Sequence, residues 1–346
     1  MKTLQLIQNS ALPLPMRIAW YLSDIGRAQG VQDLFTRQSP QRLRVLREHA
    51  MAQSVVSSNR IEGVEIDRAR VGTVVFGHPA LMDRDEEEVA GYRDALNRIY
   101  SRGAGMPVSE ETILTLHKLS RGNVWDAGQY KDKPVDIIEK LPGGGERLRF
   151  RSVCPADTPV FTRQLVHLWR DQIRERETAP LILLGAFNLD FLCIHPFRDG
   201  NGRVSRLLLL LTAIHLGIEV GRYVSLERLI EENRDRYYET LEISSQGWHE
   251  GKHDPWPYIG YLLYIIKQAY DEFERRIGRT KAPRGEKTAI VEAAIARRTG
   301  AFSVSDLRDA CPGVGVDLIR KVLHRLKGTR VECLGRGQSA RWKRLN

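Results

Sequence analysis

The sequence predicts a mainly α-helical protein with one central β-hairpin and a small domain of helices and strands at its C-terminal end. Apolar residues recur at three- and four-residue spacing along most of the chain, which is the period of amphipathic helices. Two short alternating stretches, residues 135–140 and 147–151, flank a glycine-rich turn and are typical of a hairpin. After residue 286, three helical stretches precede two short strands, which indicates a separate domain.

Helix boundaries follow from capping and breaking residues. Pro40 disfavours helical geometry at the residue before it and divides residues 31–60 into two helices. An acidic first turn complements the helix dipole of residues 83–100, and the Ser-Glu-Glu stretch at Ser109 resembles a capped helix start. Further helices are predicted over residues 158–177, 179–193, 202–216, 226–243 and 257–277.

Composition indicates a globular protein with a full hydrophobic core. Of its 346 residues, 42% are hydrophobic and 28% are charged, which suits two or three domains. The sequence shows neither a secretory signal nor an apolar run long enough to cross a bilayer, so we expect no membrane partner and a cytoplasmic location. The cysteines lack the spacing of a metal site or a disulfide framework, which favours reduced thiols. They are Cys154, Cys193, Cys311 and Cys333.

The net charge of +10 is concentrated at the C-terminal end. Residues 281–346 hold 15 Lys and Arg against 6 Asp and Glu, whereas the rest of the chain is almost neutral. A local basic excess favours a polyanionic partner, although a solubilising surface explains it equally well. Residues 278–287 are polar and rich in Gly and Pro, as linkers are. We therefore expect an N-terminal helical region at 1–105, a core at 106–280 and a third domain at 281–346.

The most informative segment is the loop that begins at His195. Pro196 disfavours helical geometry at His195 and places it at the exit of an apolar helix. The Gly200-Asn201-Gly202 turn follows and opens the next helix. A glycine turn at a helix N-terminus presents free N–H groups beside the positive end of the helix dipole, and both attract anions.

Charged side chains around this turn complete a phosphate-binding pattern. Arg203 and Arg206, three residues apart, share one helix face and can bind further phosphate oxygens. Asp199 can hold a magnesium ion that bridges phosphates. A neutral imidazole at His195, with an ordinary pKa of about 6.5, suits proton removal from an alcohol. This combination within twelve residues predicts a phosphoryl-type transfer rather than a plain turn.

The loop resembles the signature of the Fic family, which reads H-x-F-x-[D/E]-G-N-G-R-x-x-R. The matching residues are His195, Phe197, Asp199, Gly200, Asn201, Gly202, Arg203 and Arg206. The resemblance implies a Fic-type helical core and adenylyl transfer, in which AMP moves from ATP to a Tyr, Thr or Ser hydroxyl of a target protein. Relatives that transfer phosphate have an altered Gly-Asn-Gly turn, so the intact turn favours AMP. Transfer of phosphocholine or UMP stays open.

The resemblance also implies a role for each matching residue. The histidine of the signature is the general base and the carboxylate binds Mg²⁺, here His195 and Asp199. The turn holds the α- and β-phosphates of ATP, here through Gly200, Asn201 and Gly202. The two arginines hold the outer phosphates, and the phenylalanine anchors the loop in the core.

The chain also resembles an inhibitory motif of the same family, which reads [S/T]-x-x-x-E-[G/N]. The matching residues are Ser58, Glu62 and Gly63. A carboxylate at the end of a helix opposes the helix dipole, so a cationic partner elsewhere would explain it. The resemblance implies that Glu62 pairs with Arg206 and keeps the γ-phosphate of ATP out of its productive position. The placement before the core resembles the subclass with an N-terminal inhibitory helix. Whether the same Glu assists AMP removal stays open.

The central hairpin lies upstream of the loop, where Fic proteins carry a flap. The resemblance implies that the flap pairs with the backbone of the target as an added strand and aligns its hydroxyl with the base. The expected target contacts are Val135, Asp136, Ile137 and Ile138. A surface hairpin without a role is the alternative.

The C-terminal domain resembles a winged helix-turn-helix. Helices are predicted over residues 286–298, 303–308 and 316–326, with strands at 330–334 and 340–344. The third helix would enter the major groove of DNA and the hairpin would reach phosphate or the minor groove. The expected contacts are Arg320, Lys321, Arg325 and Arg336. A winged helix that binds protein or dimerises is the alternative, and a homo-oligomer stays open.

Two functions are therefore compatible with the sequence. The first is an autoinhibited protein adenylyltransferase that uses ATP and Mg²⁺ and acts on a target protein. The second is a DNA-binding transcriptional regulator whose Fic core senses nucleotide. The intact His195 favours the enzyme, because a sensor does not need a base. The two functions do not exclude each other.

Overall fold

Helices account for most of the described chain. The computed structural model describes residues 1–9, 12–38, 40–77, 79–140, 144–279, 286–296, 298, 300–311, 314–335 and 340–345. The chain divides into two units, Met1–Arg275 and Arg276–Asn346. The predicted N-terminal region and core both lie in the first unit, while the predicted boundary at residues 280 and 281 falls outside the described residues.

The first unit is a helical assembly with one hairpin. Its helices in the described ranges are α1 (Lys2–Asn9), α2 (Met16–Gln38), α3 (Pro40–Ile61), α4 (Arg68–Phe76), α5 (Arg84–Arg102), α6 (Glu110–Arg121), α7 (Thr158–Glu175), α8 (Pro180–Ile194), α9 (Asn201–His215), α10 (Leu226–Glu232), α11 (Arg234–Ser245) and α12 (Trp256–Arg279), of which the last four residues belong to the second unit. The hairpin consists of β1 (Ile137–Lys140) and β2 (Glu146–Phe150). Among the helices described here, none has the length and apolar character that a bilayer crossing requires.

Most predicted helices lie within a few residues of their predicted positions. α2 ends at Gln38 and α3 begins at Pro40, in agreement with a break before Pro40. Ser109 caps α6 by accepting the N–H of Thr112, which satisfies one of the free amides of the first turn. The third helix of the predicted C-terminal domain has the predicted bounds, residues 316–326.

Five helices of the first unit differ from the prediction: α1, α2, α4, α10 and α11. α2 begins at Met16, well before the predicted start at residue 31. Residues 226–243 form two helices rather than one, because the chain leaves helical geometry at Asn233, whose amide donates to the Leu229 carbonyl. The sequence analysis misses α4, which is capped by Asp67. It also misses α1, whose first turn is held by a tertiary contact to Asp190 on α8.

α8 is the central helix of the first unit and leads into the candidate loop. Residues 182–194 are all buried, in agreement with a helix that is apolar on every face. The polar side chains within it have partners. Asn188 donates to the Ser205 carbonyl on α9 over 2.8 Å, and Asp190 accepts the N–H of Thr3 over 2.9 Å. α8 is therefore tied to α9 through Asn188 and to α1 through Asp190.

The hairpin strands pair antiparallel and are fixed to the helical core through β2. A β-bulge shifts the register between Ile137 and Ile138. Gln246, just after α11, donates to the Arg149 carbonyl of β2 over 3.1 Å. In the described part of the chain the sheet has these two strands, so the outer edge of β1 is unpaired.

The predicted first strand begins too early in the sequence. It includes Val135 and Asp136, whereas β1 begins at Ile137. The Asp136 carboxylate accepts the N–H of Ser152 over 3.3 Å, beyond the end of β2. This side chain contact closes the base of the hairpin where a strand ladder would otherwise continue.

The second unit has the predicted element order. It contains α13 (Glu286–Ala296), α14 (Val304–Ala310), α15 (Val316–Leu326), β3 (Val331–Cys333) and β4 (Trp342–Arg344). Ser303 and Asp306 form a reciprocal capping box at the start of α14. Phe302 exchanges two backbone hydrogen bonds with Trp342, and both side chains are buried in the core of this unit.

Candidate functional site

The end of α8 presents His195 in an unusual backbone conformation. Its N–H still donates to the Phe191 carbonyl over 3.0 Å, but its φ of 51° lies in the left-handed region. Few residues other than glycine adopt this conformation, and it ends the helix abruptly. Pro196 follows and cannot continue the helix. His195 is therefore the residue at which α8 stops and the loop begins.

The hydrogen bonding of His195 assigns the tautomer of its ring. Nδ1 lies 3.2 Å from the Leu192 carbonyl, which can only accept, so Nδ1 carries the proton. In the neutral ring Nε2 then keeps a lone pair. Burial, together with the positive charge of Lys131, lowers the pKa of His195 to about 4. His195 is thus uncharged at neutral pH and has a proton-accepting nitrogen.

Aromatic stacking and one side chain amide fix the loop. The buried Phe197 ring stacks on His117 of α6, with centroids 3.7 Å apart and planes 2° from parallel. Asn201 accepts the Phe197 N–H over 2.9 Å and donates to its carbonyl over 2.8 Å. Both polar groups of the Asn201 side chain therefore help to close the loop, and its expected contact with phosphate stays a prediction.

The glycine turn is the N-terminus of α9. Gly200 has a φ of 81° and precedes the helix, which begins at Asn201. The first amides of a helix lack partners within the helix, so this end offers N–H groups to an anion. A Cβ on Gly202 would lie 2.2 Å from Glu62 Oε1, so the missing side chain leaves room for a carboxylate against the turn.

Both arginines of the loop are almost fully buried, and each has a carboxylate partner. Arg203 pairs with Glu88 of α5 and lies 3.7 Å from Asp199. Arg206 donates to Glu62 Oε1 over 2.8 Å and also to the hydroxyl and carbonyl oxygens of Ser58. Within the described residues, Arg203 Nε and Arg206 Nη1 have no hydrogen-bond partner. The two arginines therefore keep donors that another anion can use.

The structure brings Glu62 to the loop, as the sequence analysis expects. α3 ends at Ile61, and Gly63 turns the chain with a φ of 82°. Glu62 therefore lies just beyond the helix rather than in its last turn, and its side chain is about a quarter exposed. Although burial opposes it, the Glu62 carboxylate raises the pKa of Arg206 above its usual range.

Asp199 is the only residue of the loop that the sequence analysis assigns to a metal. Its carboxylate is 57% exposed and accepts from Arg121 Nη1 over 2.6 Å. Although desolvation opposes it, Arg121 and Arg203 lower the pKa of Asp199. No group of three or more metal-ligating side chains occurs in the described ranges. One carboxylate still fits Mg²⁺, which takes one or two from the protein and the rest from water and phosphate oxygens.

Four buried side chains at the site were not predicted from the sequence. Glu88 contacts three guanidinium groups, those of Arg84, Arg121 and Arg203. Arg121 in turn bridges Glu88 and Asp199 through one nitrogen. The other two are His117 and Lys131, which contact the loop through hydrogen bonds. Each is a polar residue buried among apolar neighbours, which is a weak signal in a single sequence.

The remaining predicted contact residues belong to the hairpin and to the second unit. On the hairpin, Ile138 is 51% exposed, whereas Val135 and Ile137 are partly buried. On α15 of the second unit three basic residues are exposed: Arg320, Lys321 and Arg325. The predicted contact at Arg336 lies outside the described residues.

Comparisons with known proteins agree with the motif. Residues 107–213 match the Fic/DOC family. A protein adenylyltransferase Fic from Drosophila virilis is 24% identical over 238 residues, which are 66% of this chain and 44% of that protein. One from Nematostella vectensis is 23% identical over 238 residues, 65% of this chain and 49% of that protein. The chain therefore spans less than half the length of these curated relatives.

A solved structure shows the same fold. A Fic family protein from Desulfovibrio desulfuricans G20 superposes with a TM-score of 0.63 and 20% identity. The superposition covers 96% of this chain and 97% of that one, so the similarity extends well beyond the matched segment. At this identity it supports the fold alone.

Glu88→Gln tests whether one carboxylate holds the buried arginines. Removal of the charge leaves Arg203 and Arg121 without their shared partner, which costs about 3 kcal/mol when a buried pair is broken. We expect the denaturation midpoint in urea to fall clearly. The control is Glu87→Gln, because Glu87 is 37% exposed and contacts Arg84 alone, so its loss changes stability by about 0.5 kcal/mol or less. Equal midpoints for the two variants would contradict this role.

His117 makes the stability of the loop depend on pH. The Gly128 N–H donates to Nδ1 over 2.9 Å, so Nε2 carries the proton and donates to the Asp199 carbonyl over 3.0 Å. Burial lowers the pKa of His117 to about 4. The unfolded chain, with an ordinary pKa of about 6.5, binds the proton first, so stability declines as pH falls from 6.5 to 4.

We expect the thermal midpoints of wild type and His117→Gln to approach each other as pH falls through this window. The wild type loses stability because its neutral ring must take up a proton, whereas Gln does not titrate. Differential scanning calorimetry at pH 7, 6, 5 and 4 measures the thermal midpoint of each protein. His49→Gln, at an exposed position on α3 for which no ion pair occurs among the described residues, is the control, and its difference from wild type should change less over this range. A constant offset for His117→Gln would refute the assignment.

Proposed function

We propose that this chain is an autoinhibited protein adenylyltransferase, which transfers AMP from ATP to a Tyr, Thr or Ser hydroxyl of a target protein. One observation carries the proposal. An uncharged, partly buried imidazole at the end of α8 is followed six residues later by the anion-attracting N-terminus of α9, whose two arginines keep donors without a partner among the described residues. The match to the Fic/DOC family and the adenylyltransferase relatives agree with it.

His195 is the general base of the proposed reaction. Its Nε2 accepts the proton of the target hydroxyl while the hydroxyl oxygen forms a bond to the α-phosphorus of ATP. The bond between the α-phosphorus and the bridging oxygen to the β-phosphorus breaks, and pyrophosphate leaves. Because the hydrogen bond to Leu192 fixes the Nδ1–H tautomer, the ring does not need to reorient before it accepts the proton.

The loop supplies charge stabilisation for the triphosphate. The amides of Gly202 and its neighbours at the start of α9 bind phosphate oxygens, and the free donors of Arg203 and Arg206 bind the outer phosphates. Asn201 keeps the loop in place through Phe197 and contributes its main chain. Asp199 is the residue that would hold Mg²⁺, which would neutralise phosphate charge when bound with the nucleotide.

Glu62 acts as the inhibitory residue in this proposal. Its carboxylate lies against Gly202 and pairs with Arg206, so it occupies the anion site at the end of α9. A phosphate group of ATP and this carboxylate compete for the same guanidinium donors. Ser58 adds two acceptors to Arg206, and Gly63 provides the turn that aims Glu62 at the loop.

The hairpin positions the target in the proposed reaction. The outer edge of β1 is unpaired among the described strands, so an extended segment of a target can add to it as a further strand. Ile138, which is half exposed, offers an apolar contact to a side chain of that segment. β2 is fixed to the core by Gln246, so a bound strand is held relative to His195.

Labelled-ATP transfer tests the function directly. Incubation of Glu62→Gly with ATP labelled at the α-phosphate and a cell lysate should label protein at least about tenfold more strongly than wild type, because the carboxylate no longer competes with phosphate. Addition of His195→Ala to that variant should abolish the label. ATP labelled at the γ-phosphate distinguishes AMP transfer from phosphate transfer. Equal labelling by wild type and Glu62→Gly would refute autoinhibition by Glu62.

We also propose that the second unit binds DNA. α15 buries one apolar face, Ile319, Val322 and Leu323, and exposes a basic face. The basic excess of residues 281–346 provides the general attraction for phosphate. An exposed basic helix preceding a two-stranded hairpin has the arrangement of a recognition helix and a wing.

DNA binding should depend on the exposed basic residues of α15. In the full chain, Arg320→Ala and Lys321→Ala should each weaken binding to a fluorescent duplex and reduce the slope of log affinity against log salt by about 1. Fluorescence anisotropy over a salt series measures both quantities. Arg308→Ala, at an exposed position on α14, is the matched control. Affinity for the duplex that is unchanged in all three variants would rule out α15 as the DNA contact.

A further inference from the structure

Lys131 is a buried lysine beside the candidate base, in the segment between α6 and the hairpin. Its residue is 2% exposed, which is rare for a lysine without a role in charge pairing. Its Nζ donates to the Ser152 hydroxyl over 2.7 Å and to the Ile194 carbonyl over 3.1 Å. Its main-chain N–H donates to the Pro196 carbonyl over 2.9 Å.

These contacts join two parts of the proposed machinery. Ile194 and Pro196 are the residues on either side of His195, so Lys131 holds the peptide groups that flank the base. Ser152 follows β2, and its N–H donates to Asp136 at the start of the hairpin. The same lysine therefore connects the base of the hairpin with the loop that carries the imidazole.

The side chain of Lys131 is also a charge placed close to His195. Burial lowers the pKa of Lys131 to about 8, so at neutral pH most of the side chain is still protonated. The charged groups that face His195 are Lys131, Glu62 and Asp199. The two carboxylates favour the protonated ring, and Lys131 is the cation that opposes them. Asp136 and Cys154 are the groups that favour the charged form of Lys131 itself.

We propose that Lys131 is a positioning residue for the transfer reaction, which fixes His195 relative to the hairpin and keeps its ring uncharged through a buried positive charge. The proposal rests on the proposed function of His195 as a base. It assigns to one side chain two effects that are separable by experiment. The hydrogen bonds set the position of the base, and the charge sets its protonation.

The protonation effect can be measured without any activity. In the full chain with ¹³C-labelled histidine, the His195 ring signal, assigned by its loss in His195→Ala, reports the protonated fraction at pH 5.5. With a pKa of about 4 the wild-type ring is almost entirely neutral at this pH. We expect Lys131→Gln to raise the protonated fraction several-fold, while Lys131→Arg keeps it low. Lys133→Gln, at an exposed position two residues away, is the matched control.

An unchanged protonated fraction in folded Lys131→Gln would overturn the proposal. If the Gln variant does not fold, Lys131→Met, which keeps the aliphatic chain, replaces it with the same expectation. The positioning effect is measured in the Glu62→Gly background, where Lys131→Gln should lower kcat about tenfold with a smaller change in KM for ATP. Lys131→Arg should recover part of kcat. Absence of transfer by Glu62→Gly alone would count against adenylyl transfer, and the NMR result would still decide the role of Lys131.

Discussion

The burial of two guanidinium groups is the constraint on which the site depends. Arg203 and Arg206 are almost inaccessible to solvent, and a buried charge is costly unless it is paired. The first unit provides a carboxylate for each of them, Glu88 from α5 and Glu62 from the end of α3. The packing of α3 and α5 around α9 is therefore coupled to the charge of the loop.

The two carboxylates differ in their suitability as partners of a guanidinium group. Glu88 has the features of a permanent partner, and Glu62 has those of an exchangeable one. Glu88 is buried near the N-terminal end of α5 and is shared by three arginines, so its displacement would leave several guanidinium groups without a carboxylate partner. Glu62 lies beyond the end of a helix and is partly exposed, and among the described residues it forms an ion pair with Arg206 alone. In the proposed reaction, phosphate can take the place of Glu62 at little structural cost, while Glu88 keeps the remaining guanidinium groups in position.

The loop is also held by hydrogen bonds that fix the tautomers of two histidine rings, His117 and His195. His117 stacks on Phe197 and must stay neutral to accept from Gly128 and donate to Asp199. His195 donates from Nδ1 and keeps Nε2 free. Burial favours the neutral form of both rings. The exclusion of water that raises the free-energy cost of the buried charges therefore also keeps His195 able to accept a proton.

The sequence by itself determined the features that are local along the chain. The loop from His195 to Arg206, the helix boundaries at Pro40 and Ser109 and the hairpin position depend on neighbouring residues. The pairing of Glu62 with Arg206 was expected from the family resemblance and not from local pattern. Only the tertiary structure decided which side chains form ion pairs and hydrogen bonds with the loop. Glu88, Arg121, His117 and Lys131 reach it from distant segments, and Asn201 turns back onto Phe197. Such contacts depend on how the helices pack against one another, and the spacing of residues in a single sequence does not reveal that packing.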